Sequence, residues 1–105
     1  MKVILDECLP KRLKSQFPEH DVTTVPMEGL AGVSNGKLLD AIQERFDVFL
    51  TIDGSLEYQQ KFKDRPIMVI VIRSVSNRFE DLLPLIPAIK KALEHIQPGT
   101  VIRVG

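Results

Sequence analysis

Ile67-Met68-Val69-Ile70-Val71-Ile72 is the stretch on which the fold turns. It is apolar throughout and rich in β-branched residues, with no polar residue at alternate positions. A strand of this kind has core on both faces, as strands do in parallel sheets covered by helices on either side. The run is also far short of the roughly 20 residues a membrane-spanning helix needs. Arg73-Ser74 follows it at once, so the strand ends abruptly in polar residues.

The same pattern recurs outward from this segment. Val3-Ile4-Leu5 is a short apolar run that stops at Asp6-Glu7, and Asp47 to Thr51 reads as a further strand that again ends in acid, at Asp53. Asp21-Val22-Thr23-Thr24-Val25 is β-branched and reads as a further strand, and Thr100 to Val104 as a closing edge strand. Between them lie helical patterns. Leu9, Leu13 and Phe17 fall on one helix face, with Pro10 suited to the first turn and Pro18 to the stop. Ser34 is placed to cap a helix that turns Leu38, Leu39, Ile42 and Phe46 inward. Gly54 to Phe62 reads as a short helix. Phe79, Leu82, Leu83, Ile86, Ile89 and Leu93 line a longer one, which Pro84 and Pro87 should kink or split. Strand and helix alternate four times before the last strand. The expectation is therefore one α/β domain over residues 1–105, a three-layer sandwich with a largely parallel central sheet of about five strands, helices on both faces and a Rossmann-like topology.

Bulk properties narrow the function. The 105 residues suffice for one core, and Lys plus Arg equals Asp plus Glu at 14 each, so no global field draws in nucleic acid or membrane. The single cysteine, Cys8, cannot form an internal disulfide, which suits a reducing compartment. The N-terminal residues lack the apolar run of a signal peptide, so the expected location is cytoplasmic. His20 and His95 have no partners at zinc-ligand spacing.

In parallel α/β sheets ligands bind beyond the carboxyl ends of the strands. Sequence order alone then gathers Asp6 and Glu7, Glu28, Thr51 and Asp53, and Arg73, Ser74 and Asn77 toward one edge, with Ser34 and Asn35 at a helix start facing it. Converging carboxylates repel, and a hard divalent cation relieves the repulsion. The alternative is plain capping, by Asp6 or Glu7 of the Leu9 helix and by Asp53 of the helix near Gly54.

Leu5-Asp6-Glu7-Cys8-Leu9-Pro10, His20-Asp21-Val22, Gly29-Leu30-Ala31-Gly32-Val33-Ser34 and Leu50-Thr51-Ile52-Asp53 stand in an order and spacing that resemble those of small prokaryotic PIN-like proteins. The resemblance covers most of the chain. It implies a PIN-like fold and an Mg²⁺- or Mn²⁺-dependent ribonuclease, in many such proteins a toxin paired with an antitoxin. It further implies Asp6 and Asp53 as the metal carboxylates, Glu7 and Asn35 as auxiliary ligands, Thr51 and Ser34 in supporting positions, and RNA as substrate. Lys11 and Arg12, beside the site, would contact flanking phosphates. Three positions depart from the family pattern: Cys8 replaces an asparagine, Asn35 an aspartate and Ser55 a second aspartate, which leaves the site less acidic. Asp40 or Glu57 would have to make up the charge. The alternative is a catalytically degenerate PIN-like domain that binds protein or nucleic acid. A phosphoacceptor receiver domain also pairs acids after the first and third strands, but it needs a lysine after a later strand, where this chain has Arg73-Ser74. The edge strand Thr100 to Val104 offers a surface on which a homodimer would pair.

Overall fold

The computed structural model describes residues 1–56 and 61–105. Five strands form one all-parallel sheet: β1 (Lys2–Leu5), β2 (Asp21–Thr24), β3 (Val48–Thr51), β4 (Met68–Ile72) and β5 (Val101–Val104), in the order β2-β1-β3-β4-β5. The double-sided burial expected of Ile67–Ile72 is met, since all of β4 and β3 is buried. β2 and β5 are the two edges.

Alternate residues of each strand feed two separate cores. Val3, Leu5, Val48, Leu50, Met68, Ile70 and Ile72 point to one face, where they meet Leu9, Leu13 and Phe17 together with Leu82, Ile86, Ile89 and Leu93. Ile4, Phe49, Val69 and Val71 point to the other, where Leu38, Leu39, Ile42, Leu56 and Phe62 cover them. The result is three layers, as the alternation of elements requires. Each fully buried large side chain contributes about 1.5–3 kcal/mol of transfer free energy, so both faces of the sheet hold the fold together.

The helices are shorter than their apolar patterns. The Leu9–Phe17 pattern forms a 3-10 helix over Lys11–Gln16, with Pro10 ahead of it and Phe17 as its C-cap. Ser34 is the N-cap of α1 (Asn35–Ile42), though its side chain makes no capping hydrogen bond, and α1 ends before Phe46. Pro84 and Pro87 do split the last helical region: α2 (Phe79–Leu82) passes through a 3-10 turn (Leu83–Leu85) into α3 (Ile86–Leu93). Each proline falls in the first turn of its new segment, where the missing N–H costs nothing. Val25, read as strand, instead opens a 3-10 turn over Pro26–Glu28. Residues 57–60 of the expected Gly54–Phe62 helix, Glu57 among them, lie outside the described residues. No helix among the described residues is long and apolar enough to cross a membrane.

This strand order sets the place of a site. The chain winds from β1 outward to β2, then returns to lay β3 on the opposite side of β1. The sheet edge beyond the carboxyl ends of β1 and β3 is therefore the switch point, the place at which doubly wound sheets bind ligands.

Candidate functional site at the β1–β3 switch point

Asp6 directly follows β1, and its N–H donates to Leu50 O at 2.9 Å, carrying the β1–β3 ladder one residue past the strand. That bond holds Asp6 at the sheet edge with only 9% of its surface exposed. A buried carboxylate needs donors, and Asp6 has them. Its Oδ1 accepts from the Glu7 N–H at 2.8 Å. Its Oδ2 accepts from Thr51 Oγ1 at 2.6 Å, a charge-assisted length, and from the Cys8 thiol at 3.4 Å.

Thr51 joins the two halves of the site. It is the last residue of β3 and fully buried. While its hydroxyl donates to Asp6, its oxygen accepts the Asp53 N–H at 3.0 Å. The hydroxyl thus links the carboxylate after β1 to the backbone after β3. Cys8 Sγ lies 3.8 Å from the same hydroxyl. Burial, followed by the neighbouring Asp6 charge, pushes the Cys8 thiol up from its ordinary value, so the sulfur stays protonated and acts as a donor.

Asp53 is held differently. Its Oδ1 accepts from both the Ser55 N–H (3.0 Å) and the Ser55 hydroxyl (2.6 Å), and its Oδ2 lies 3.5 Å from the Asn35 amide nitrogen. The Ser55 hydroxyl, with help from the Ser55 N–H and Asn35, holds the Asp53 carboxyl below its ordinary range. This is the local capping geometry that the acid-after-strand pattern allowed, and it coexists with the link through Thr51.

The remaining sequence candidates separate into two groups. Asn35 joins the site through Asp53, and Asn77 borders it by donating its side-chain amide to Cys8 O at 2.9 Å. Glu7 is turned aside: both its oxygens accept the Gly32 N–H, at 3.1 and 3.2 Å. Glu28 is drawn to Thr23 and to Arg45, which it meets at 2.7 Å. Asp40 pairs with Arg65 at 2.8 Å on the surface of α1, so it does not complete the acidic set. Lys11 and Arg12 line a pocket whose walls contain none of Asp6, Glu7, Thr51 or Asp53. Arg12 is moreover engaged, with its guanidinium 4.1 Å from the centre of the Phe79 ring.

Set against the family pattern, Ser55 stands in place of an acid and Cys8 in place of an asparagine. Both instead serve as hydrogen-bond donors to the two aspartates. The Asp-x-Ser spacing at 53–55 was the available signal for the first, because an Asx turn bonds the residue two positions on. Cys8, two residues from Asp6, is equally local, but nothing in the sequence signalled that its sulfur also lies against Thr51, 43 residues away.

Beside the site, beyond the ends of β3 and β4, runs a groove of ≈ 470 Å³ lined by Ile52, Gly54, Val71, Ile72, Arg73, Ser74 and Val75. Val75 stands 93% exposed at its rim. No family model, curated protein or solved structure matches the chain.

A divalent cation can be tested against these residues. Among the described residues, no three His, Cys, Asp or Glu side chains gather so as to hold a metal ion. Mg²⁺, however, is commonly held by one or two carboxylates, with waters and substrate phosphates completing its shell. Asp6 and Asp53 supply two carboxylates whose orientations are fixed by Thr51, Cys8, Ser55 and Asn35, the kind of outer support that ligating carboxylates have. Such a pair would hold a cation only if waters and substrate completed its shell.

Proposed function

We propose that the chain is a PIN-like ribonuclease assisted by Mg²⁺ or Mn²⁺, with Asp6 and Asp53 as the cation's protein ligands. The observation that carries this reading is the Asp6–Thr51–Asp53 link at the switch point of the sheet. A cation held there supplies charge stabilisation to a phosphodiester undergoing hydrolysis. The protein's share of the work is orientation. Thr51 and Cys8 fix Asp6, Ser55 and Asn35 fix Asp53 as an ionised carboxylate, and Asn77 ties the loop after β4 to the segment after β1. The adjoining groove offers a path for the polynucleotide, with Arg73 as its cation.

Glu7 favours a second reading. Its carboxylate is occupied by the Gly32 backbone, so the described site has two acids where converging carboxylates were expected. A PIN-like domain that binds a partner without chemistry has no need of a third.

Calorimetric titration with Mn²⁺, together with cleavage of a fluorophore–quencher RNA oligomer, separates the two. Saturable binding at millimolar Mn²⁺ that Asp53→Asn loses, with cleavage abolished in a folded Asp6→Asn variant, is the result expected. Undiminished cleavage by Asp6→Asn overturns the nuclease reading, and absence of Mn²⁺ binding turns the assignment to the binding module.

A further inference from the structure

Glu7 stands next to Asp6 in the chain, yet its carboxylate serves a different segment. Its backbone N–H donates to Asp6 Oδ1 at 2.8 Å, while both side-chain oxygens accept the Gly32 N–H, at 3.1 and 3.2 Å. One residue thus bonds the Asp6 carboxylate through its backbone and the loop after β2 through its side chain.

That loop leads to the other aspartate. Gly29 and Gly32, at φ of +75° and +80°, adopt a backbone that favours glycine and turn the chain from the 3-10 turn at Pro26–Glu28 toward α1. The Val33 N–H closes the turn on Leu30 O at 3.1 Å, and Leu30 and Val33 pack on the core over Ile4 and Phe49. Apolar burial is non-directional and fixes no register by itself. The Glu7–Gly32 contact is directional. Just beyond Gly32 comes Asn35, the first residue of α1, whose amide nitrogen lies 3.5 Å from Asp53 Oδ2. That separation is at the limit of a hydrogen bond, so a small displacement of the loop decides whether Asn35 reaches the carboxylate.

We infer that Glu7 is a positioning residue: by holding Gly32 it sets the loop so that Asn35 meets Asp53, and it stays outside the cation's shell. Thr51 couples the two aspartates from inside the sheet, and Glu7 couples them from the loop side. The consequence for a cation rests on the reading of Asp6 and Asp53 as its ligands; the path from Glu7 through Gly32 and Asn35 to Asp53 is present in the protein alone. This role needs an acceptor oxygen, which glutamine also has. A ligand role needs the negative charge as well, because that charge is what attracts a divalent cation. The two roles therefore part at Glu7→Gln.

The test compares the full chain with Glu7→Gln, Glu7→Ala, Asn35→Ala and the double variant Glu7→Ala/Asn35→Ala. Glu7 and Gly32 are both exposed, so loss of their contact leaves the core intact. Without metal, in EDTA, the Asn35 side-chain amide signals by NMR should move in Glu7→Ala and stay near their wild-type positions in Glu7→Gln. By calorimetry, Mn²⁺ affinity should fall about tenfold in Glu7→Ala, the lower end for groups that orient ligands. In Glu7→Gln it should stay within about threefold, the effect of losing a screened charge at a distance. The double variant should bind no more weakly than Asn35→Ala, the non-additivity expected of residues acting along one path. Equal weakening in Glu7→Gln and Glu7→Ala would place the carboxylate on the cation and overturn the inference. Additive losses, or Asn35 signals unmoved in Glu7→Ala, would overturn it too. A wild-type chain that takes up no Mn²⁺ defeats the cation reading instead, and the Asn35 signals then uphold or overturn the path from Glu7 by themselves.

Discussion

Replacing Thr51 with valine exchanges one hydroxyl for a methyl at nearly constant volume, which makes it a direct probe of the candidate site. Thr51 is fully inaccessible, so no cavity forms, but the new methyl cannot stay at hydrogen-bond distance and pushes Asp6 away. Two hydrogen bonds do not survive: the 2.6 Å donation to the Asp6 carboxylate and the 3.0 Å acceptance from the Asp53 N–H. A bond to an ionised group contributes about 1.5–3 kcal/mol, and a neutral one about 1 kcal/mol. The expected loss is therefore about 2–4 kcal/mol. With a urea dependence of roughly 1.5 kcal/mol/M for a chain of this size, the unfolding midpoint falls by about 1–3 M. Thr51→Ser keeps the hydroxyl and should lose less, through one buried methyl group. Equilibrium urea unfolding followed by circular dichroism measures both variants. A Thr51→Val midpoint within about 0.3 M of wild type at unchanged slope, equivalent to less than about 0.5 kcal/mol, would refute the claim that this hydroxyl ties Asp6 and Asp53 together. Mn²⁺ titration of the same variant then shows whether the tie also matters for a cation.

Four further outcomes follow from the local geometry. Ser55→Ala removes the hydroxyl that most lowers the Asp53 carboxyl, so its titration midpoint by ¹³C NMR should rise toward the ordinary value of 3.8. A carboxyl held low stabilises the fold above its unfolded value and loses that contribution as pH falls through the folded one, so Ser55→Ala should cost stability at pH 7 and much less at pH 2; an equal loss at both would contradict the assignment. Cys8, its thiol pushed up by burial, should react with iodoacetamide several-fold more slowly than a free cysteine at pH 7.5, the rate climbing on through pH 9; fast alkylation at neutral pH would show a thiolate. Gly99→Ala should destabilise by about 2 kcal/mol or more, since its φ of +82° disfavours a side chain and the added Cβ would meet Lys63 O at 2.5 Å. Gly29→Ala, at φ +75° with nothing within 4 Å of the Cβ, should cost only the backbone term of about 1 kcal/mol, and parallel urea curves would compare the two.

The apolar runs at Val3–Leu5 and Ile67–Ile72 were legible as doubly buried strands because that property is written in consecutive residues. So was the division of the last helical region, because Pro84 and Pro87 act on their own turn whatever surrounds them. From the alternation of strand and helix came the layers, and from the layers the sheet edge on which Asp6 and Asp53 stand. The sequence by itself thus determined the fold class and the edge.

The partner of each acid was a different matter. Asp6, Glu7, Glu28, Asp40 and Asp53 look alike as letters, yet Thr51 takes the first, Gly32 the second, Arg45 the third, Arg65 the fourth and Ser55 the last. Four of those five contacts join residues 17 to 45 positions apart, so they depend on strand order and loop path. Only Ser55, two residues from Asp53, lies within reach of a local rule. Propensity and periodicity act over a turn or a strand, while the order β2-β1-β3-β4-β5 is chosen by the simultaneous burial of both sheet faces. That order sets Asp6 beside Thr51, and only the tertiary structure decided it.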